Sequence, residues 1–407
     1  MVNPSRAMSQ GTGATNDRTR RHNLSTILTA LHHNGPQPRS QLTSRSGLNR
    51  STVADLVAEL TQLGLAYESD PSQTNQVGRP SPMVHPSPDI VAVAVNPEVD
   101  AVTVGLASLA GEVVERVRVP FAVVPSVDSV VSTAASVIEG FRARHPRKRI
   151  VGVGVAVPGL VRAADGMVRL APHLGWKDVP LAELLADRTG LPVSAANDAS
   201  LGAEAERLFG AGRGKTDLIY LNGGASGIGG GIIANGIPLG GIEGYAGEFG
   251  HIRVSSEGGV SDDPESGSLE SVVNRTALLR VLSLESADDD EFEKALFAST
   301  DPVVAATVRS QLEYLSVSLR NAVNVLNPEL IVLGGFLSSI FARDSQFLID
   351  LVVAQSLRAS SASMQITRAQ LGHDLLTIGA AELAFSALLA HPAGVELPQG
   401  ASMKTTA

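Results

Sequence analysis

Residues 244–251 read Gly-Tyr-Ala-Gly-Glu-Phe-Gly-His, and after a polar loop the chain reaches Ser268-Leu-Glu270. Three glycines in eight residues mark an irregular, tightly turning backbone. Glu248, His251 and Glu270 bring carboxylate and imidazole groups of the kind that hold several hydroxyls at once. Each of them can equally satisfy the backbone of a turn. The glycine-rich character extends backwards, with twelve glycines from Gly223 to Gly250. Tight hairpins needing positive φ account for these better than a phosphate cradle does.

On both sides of this stretch the pattern is α/β. From Ile90 the chain reads as a three-stranded meander: Val91-Ala-Val-Ala-Val95, then 101–109, a turn at Gly111, and 113–119. A helical run over 127–144 and an apolar strand over 150–157 follow. The order returns later as strands at 218–222, 230–234 and 237–239, then helices, then Leu330-Ile-Val-Leu-Gly-Gly335. A duplicated α/β unit places ligands in the cleft between its halves.

Composition sets the outer limits. At 407 residues the chain is too long for one ordinary core, so two or three domains are expected. Apolar content of 43% with only 4% aromatics predicts aliphatic packing. No apolar run approaches the ~20 residues that span a bilayer, and the first 17 residues lack the apolar core of a signal peptide. A cytoplasmic protein without a membrane partner is expected. The absence of cysteine excludes disulfides, thiolate metal sites and a cysteine nucleophile.

Charge is unevenly placed. Up to His85 eight arginines face five acids, whereas the whole chain carries −9. A mildly basic head can approach phosphates that an acidic body repels. In that head Leu24, Ile27, Leu28 and Leu31 recur at helical spacing. A short helix is expected around 42–46 and stops at Gly47. A third helix carries Val53, Leu56, Val57, Leu60 and Leu63 on one face after the polar start Asn49-Arg50-Ser51-Thr52. Three helices with a glycine turn between the second and third form the helix-turn-helix layout, whose last helix begins at base edges. A strand at 65–68, a polar loop and Gly78-Arg79-Pro80 extend it to a winged helix. The arginine between Gly and Pro suits a narrow minor groove. Asn49, Arg50, Ser51, Thr52 and Arg79 are the candidate base contacts, and Arg39 and Arg45 the candidate phosphate contacts. The same three helices can serve as a plain interaction module. The four-proline segment 79–88 reads as a stiff linker.

The order of motifs carries a resemblance over nearly the whole chain, from about Asn23 to Leu388. Val157-Pro-Gly-Leu160, Pro172-His-Leu-Gly-Trp176, Asn197-Asp198, Gly227 to Gly231, Gly247-Glu-Phe-Gly-His251 and Asn327-Pro-Glu-Leu-Ile-Val-Leu-Gly-Gly335 together resemble the ROK family. That family unites bacterial sugar kinases with sugar-responsive repressors. The winged head makes the chain look like the branch of xylose-, glucose- and N-acetylglucosamine-responsive regulators. The implied fold class is α/β: an N-terminal winged helix-turn-helix plus a two-lobed actin-like ATPase (sugar-kinase) fold. The implied organisation is a disordered arm over 1–20 and the winged helix with its Gly-Arg-Pro linker over 21–85. A first lobe follows over 86–205, then a second over 206–391 whose last helix can pack back on the first, and a disordered tail over 392–407.

The resemblance also implies roles. Asn197 and Asp198 stand where family kinases hold sugar hydroxyls and keep a general base, although Asn-Asp before an Ala-rich helix is also an ordinary N-cap. With Gly159, Glu248, His251 and Glu270 they form the expected sugar site. In relatives with zinc, the His is followed at offsets of ten, twelve and seventeen by three cysteines. Here those positions are Ser261, Asp263 and Ser268. No zinc and no other cofactor is expected. Family kinases wrap ATP phosphate with an Asp-x-Gly-Gly-Thr turn; the equivalent residues here are Asn96, Pro97, Glu98, Val99 and Asp100. Both glycines are gone and two acids face the phosphate position, so ATP binding and catalysis are not expected. The implied protein is a homodimeric or homotetrameric regulator that binds operator DNA and a sugar or phosphosugar effector. A regulator controlled by a transporter subunit, with nothing in the cleft, is the alternative.

Overall fold

The structure is a computed structural model that describes residues 10–70, 81–224, 227–255 and 266–394. The head opens with a helix over Gln10–Asn34, whose Leu24, Ile27, Leu28 and Leu31 are fully buried at the expected spacing. Residues 10–20 are therefore helical and not a separate arm. A helix once nucleated by a packed stripe propagates cheaply, and Arg20 in its first half bonds Glu59 at 2.9 Å. Residues 1–9 lie outside the described residues.

The second helix runs Arg39–Ser46, starting earlier than expected, and ends at Gly47 with φ 69°. The third runs Arg50–Gln62, and Asn49 caps it by accepting from Thr52 N at 2.8 Å. The wing is a three-stranded sheet in which Met83–Pro86 lies between Gln37–Pro38 and Ala66–Ser69. The segment expected to be a linker thus contains the central strand of the wing. Its prolines 82 and 86 fall at the strand's ends, where the missing N–H breaks no ladder bond. Residues 71–80, with Arg79, lie outside the described residues.

The first lobe holds a five-stranded sheet in the order Val193–Asn197, Arg149–Val157, Ile90–Pro97, Ala101–Ser108, Val113–Pro120. Its two faces differ in size by sequence. Val91, Val93 and Val95 point into the core under the helix Val127–Arg144. Ala92 and Ala94 point the other way. On that small-residue face lies the C-terminal helix Leu375–Ala390, so close that a Cβ on Gly154 would sit 1.8 Å from the Ala380 carbonyl. The segment Gly372–Ala390 is long and apolar enough to cross a membrane by length and composition alone. Within the fold it packs on four strands of this sheet, on the helix Asp198–Phe209 and on the first helix of the head. Its apolar composition serves these contacts on several sides.

The second lobe repeats the five-stranded plan: Ile237–Pro238, Gly227–Ala234, Leu218–Gly224, Leu330–Gly334, Gln365–Arg368. The helix Pro302–Leu326 covers one face, and Asp198–Phe209 lies against the other. Here the glycines find their reason. Gly229 and Gly231 are not turn glycines: a Cβ on them would meet Ala199 Cβ at 2.8 Å and Ala203 Cβ at 2.5 Å. They let the helix that follows the first lobe come down onto the second lobe's sheet. Gly236, Gly241, Gly244 and Gly247 do have positive φ, as expected.

Head and body share one core. Ile27, Leu31, Leu56 and Leu60 of the head pack in a single cluster with Ile90, Leu109, Val151, Phe385 and Leu388. Arg149 adds a bond to the Gly64 carbonyl at 2.8 Å. The head is docked on the first lobe.

Candidate ligand-binding cleft

The strand Val193–Asn197 runs parallel to Arg149–Val157 and delivers its last residue to the mouth between the lobes. Asn197 is the N-cap of the next helix: its Oδ1 accepts from Ser200 N at 2.9 Å and its amide donates to the Gly159 carbonyl at 3.1 Å. Asp198 Oδ1 accepts from Ala199 N at 2.8 Å. The capping role and the position in the cleft hold together. Gly159 has φ 159°, and a Cβ on it would lie 2.3 Å from the Leu170 carbonyl, so the backbone itself forms that wall.

From the second lobe come the other three. Glu248 leads into the short turn Phe249–His251. Glu270 rides on the helical turn Leu269–Val272, and its Oε2 accepts from Ile228 N at 3.2 Å. The His251 ring stands between the two acids, with Nε2 3.9 Å from Glu248 and Nδ1 3.7 Å from Glu270. Gly227 has φ 126°, and a Cβ there would meet the Glu270 carboxylate at 2.4 Å. All six expected residues line one cavity of about 570 Å³.

The carboxylates there are strained electrostatically. Burial, opposed by the Ala199 bond and helped by the charge of Glu248, pushes Asp198 up to about 6. Burial also raises Glu248; the His251 ring pulls it down and Glu270 pushes it further up. Among the described lining residues there is no Lys or Arg, and residues 256–265 contain neither. The cavity offers hydrogen-bond acceptors and imidazoles to hydroxyls, and no cation to a phosphate.

Four lining residues with polar side chains were not among the expected site residues: His173, Asn222, Ser268 and Ser271. His173 stands inside a motif the sequence had already singled out. Asn222 sits in a glycine-rich strand with no local signal, and it lines a second cavity as well. Of the three positions that replace cysteine, Ser261 and Asp263 lie outside the described residues. Ser268 is 1% exposed, and its Oγ caps the Glu270 turn by accepting from Ser271 N at 3.3 Å. A cap has taken the place a thiolate would hold.

The second cavity, about 550 Å³, lies where the turn Asn96–Asp100 faces the other lobe. The electrostatic expectation there needs correction. Glu98 accepts from Thr103 at 2.6 Å and from Arg118 at 2.9 Å, and Arg118 also bonds Asp100 at 2.8 Å. Arg118 bridges the two acids and offsets one of their two charges. The steric part stands: Glu98 and Val99 stand where the flexible glycines would be, and Pro97 between Asn96 and Glu98 brings no N–H. The acidic segment near 285–294, without a role in the sequence reading, forms much of the helix Asp289–Ala298. It brings Asp289, Asp290 and Glu293 to the opposite wall, where Arg368 bonds Glu293 at 2.5 Å.

In the head, Arg39 is paired with Glu68 of the wing, and Arg45 bonds Asn34 at 2.7 Å. Asn49 Oδ1 serves the cap and also accepts from Ser51 at 2.7 Å. Arg50 is exposed at the helix start and, among the described residues, has no hydrogen-bond partner.

Comparison with known proteins fits this geometry. The model described as "ROK family" matches residues 93–387. A xylose repressor of Caldicellulosiruptor bescii is 26% identical, over 90% of this chain and 96% of its own length. A glucokinase of Halalkalibacterium halodurans is 32% identical over 59% of this chain and 79% of its own length. Among solved structures, a ROK family transcriptional regulator described as a homolog of the E. coli MLC protein superposes with TM-score 0.76. It covers 92% of this chain and 98% of its own at 24% identity, which speaks for the fold. A Streptomyces griseus ROK glucokinase in complex with glucose and AMPPNP gives TM-score 0.58 at 26% identity, covering 72% of this chain and 98% of its own.

Proposed function

The chain belongs to the ROK family, and on that premise we propose that it is a cytoplasmic, sugar-responsive transcriptional repressor. In this reading the winged helix binds operator DNA as part of a dimer or tetramer, and the cleft binds a sugar without phosphorylating it. The observation that carries the reading is the convergence of Gly159, Asn197, Asp198, Glu248, His251 and Glu270 on one cavity, within the chain whose head is a winged helix. Likeness to a xylose repressor over nearly its full length supports the regulatory half. Phosphoryl transfer is not expected, because the turn at Asn96–Asp100 lacks the glycines that wrap phosphate. A phosphosugar is disfavoured against the free sugar by three acids and no Lys or Arg on the described wall.

The coupling route differs from a swinging linker. Asp198 begins the helix Asp198–Phe209, which packs on Leu375–Ala390, which in turn meets the first helix of the head. A ligand that prefers one lobe arrangement shifts DNA affinity by its differential binding to the two.

Fluorescence anisotropy of the full chain on its own upstream DNA, with xylose, glucose and their phosphates in parallel, tests the reading. A free sugar is expected to change the apparent DNA affinity by tenfold or more. No binding to that DNA at low salt would overturn the DNA half, and a thermal melt unmoved by every sugar would overturn the cleft half. A coupled ATPase assay is expected to show no sugar-dependent turnover.

A further inference from the structure

Where the head meets the body, three ligating side chains converge from distant parts of the chain. His32 and His33 close the first helix, and Glu382 lies within the last. His32 Nε2 is 2.6 Å from Glu382 Oε2, and His33 Nε2 is 2.8 Å from Glu382 Oε1. On its other side the His32 ring places Nδ1 2.7 Å from the Leu109 carbonyl.

The Leu109 carbonyl can only accept, so Nδ1 carries the hydrogen. In a neutral imidazole Nε2 is then a bare lone pair aimed at a carboxylate oxygen, which also carries only lone pairs. A shared proton or a metal cation has to lie between them. A proton on His32 meets that need for one edge of the cluster; a divalent cation meets it for both rings and the carboxylate together.

We propose that His32, His33 and Glu382 form a zinc-class divalent metal site that fastens the DNA-binding head to the body. Two imidazole nitrogens and a carboxylate are a donor set that zinc accepts. The ligating atoms all lie within 4.8 Å of one another. The carbonyl on Nδ1 is the outer partner that fixes the tautomer of a metal-bound histidine. The Phe209 and Phe385 rings pack edge-on against His32, at 5.7 and 5.2 Å, and give the site an apolar shell. His32 is 2% exposed and Glu382 12%, while His33 at 22% leaves a way in from solvent. Arg207 faces the same carboxylate, but Glu204 holds its guanidinium at 2.5 Å.

The site needs no cysteine and lies apart from the Gly244–Glu270 frame. The missing thiolates of that frame say nothing against it. Bonds of about 2.0–2.1 Å to nitrogen require the ion to replace the bridging proton, so uptake releases protons into solution.

The test uses the full chain, stripped by chelator and dialysed. Zinc chloride is titrated calorimetrically in two buffers of different ionisation enthalpy, and metal content is measured by mass spectrometry. One zinc per chain with proton release is expected. His33→Gln and Glu382→Gln should each lower the affinity at least tenfold and remove the zinc-dependent rise in melting temperature. Zinc binding in Glu382→Gln or His33→Gln equal to wild type, or none in wild type, overturns the proposal; the second result would leave the junction bridged by a proton alone. Should Glu382→Gln fail to fold, His33→Gln and the cobalt(II) absorption of the wild type decide. Cobalt without visible bands from bound nitrogen and oxygen ligands would overturn it equally.

Discussion

Two clusters in this molecule are built from the same chemistry and behave in opposite ways. At the junction, Glu382 is clasped by His32 and His33 at 2.6 and 2.8 Å. In the cleft, His251 stands 3.9 and 3.7 Å from Glu248 and Glu270, and no described Lys or Arg joins them on the wall. The carboxyl pKa values record the difference. Burial would raise Glu382, but the hydrogen bonds and charges of the two imidazoles hold it at about 2. Asp198, buried with one backbone donor and a neighbouring acid, is driven to about 6. The junction has used its hydrogen bonds internally and so contributes stability. In the cleft the Glu248 carboxylate accepts no hydrogen bond from the described residues, which suits a ligand that brings hydroxyl donors.

The largest effect expected from breaking this contrast is on the junction. Glu382→Gln in the chelated protein leaves a buried imidazole without its counter-charge and should lower unfolding stability by about 3 kcal/mol, read from urea denaturation. A loss under about 1 kcal/mol would mean that the cluster is not the fastening described. Asp198→Asn should do the reverse. Stability at neutral pH stays equal or rises, because a buried charge is removed, while sugar affinity falls about thirtyfold with the loss of a charged acceptor, roughly 2 kcal/mol. Isothermal calorimetry beside the melt separates the two effects.

pH sharpens the contrast further. Glu382 is depressed from 4.5, so its contribution is present above 4.5 and is lost as pH falls through about 2. For His32, burial lowers the pKa, but the bond and charge of Glu382 outweigh it and raise the net value. That contribution is full below 6.5 and is lost as pH rises through the raised value. In the chelated protein the stability gap between wild type and Glu382→Gln should therefore be widest between 4.5 and 6.5. Asp198 runs the other way: its raised pKa costs stability as pH climbs from 3.8 to about 6, and sugar affinity should rise as pH climbs through about 6. A flat affinity profile across pH 5–7, identical to that of Asp198→Asn, would count against Asp198 as an ionised acceptor. The smallest effect is Ser268→Ala, which removes the cap beneath Glu270. About 1 kcal/mol of stability and a several-fold loss of sugar affinity are expected by the same assays.

The cleft was legible in the sequence because its residues lie in short motifs: Asn197-Asp198 at a strand end, Glu248 and His251 in a glycine-rich turn, Glu270 beside a cap. Local spacing fixes where such residues point, and the order of motifs places the two lobes. Asn222 was missed because one polar residue in an apolar strand leaves no periodic trace. The partial offset of the two acids in Asn96–Asp100 left no local trace, because Arg118, which bridges them, arrives from another strand.

The sequence by itself determined the α/β plan, the winged helix, the absence of cysteine and the polar set at the cleft. Each is written in periodicity, glycine placement and spacing within a few tens of residues. Only the tertiary structure decided that the proline-rich segment is the wing's central strand. It alone decided that the head shares a core with the first lobe, and that the C-terminal helix ties head, lobe and cleft together. The junction of His32 and Glu382 spans 350 residues of chain. Contacts of that range depend on the packing of a whole fold, and no local pattern encodes them.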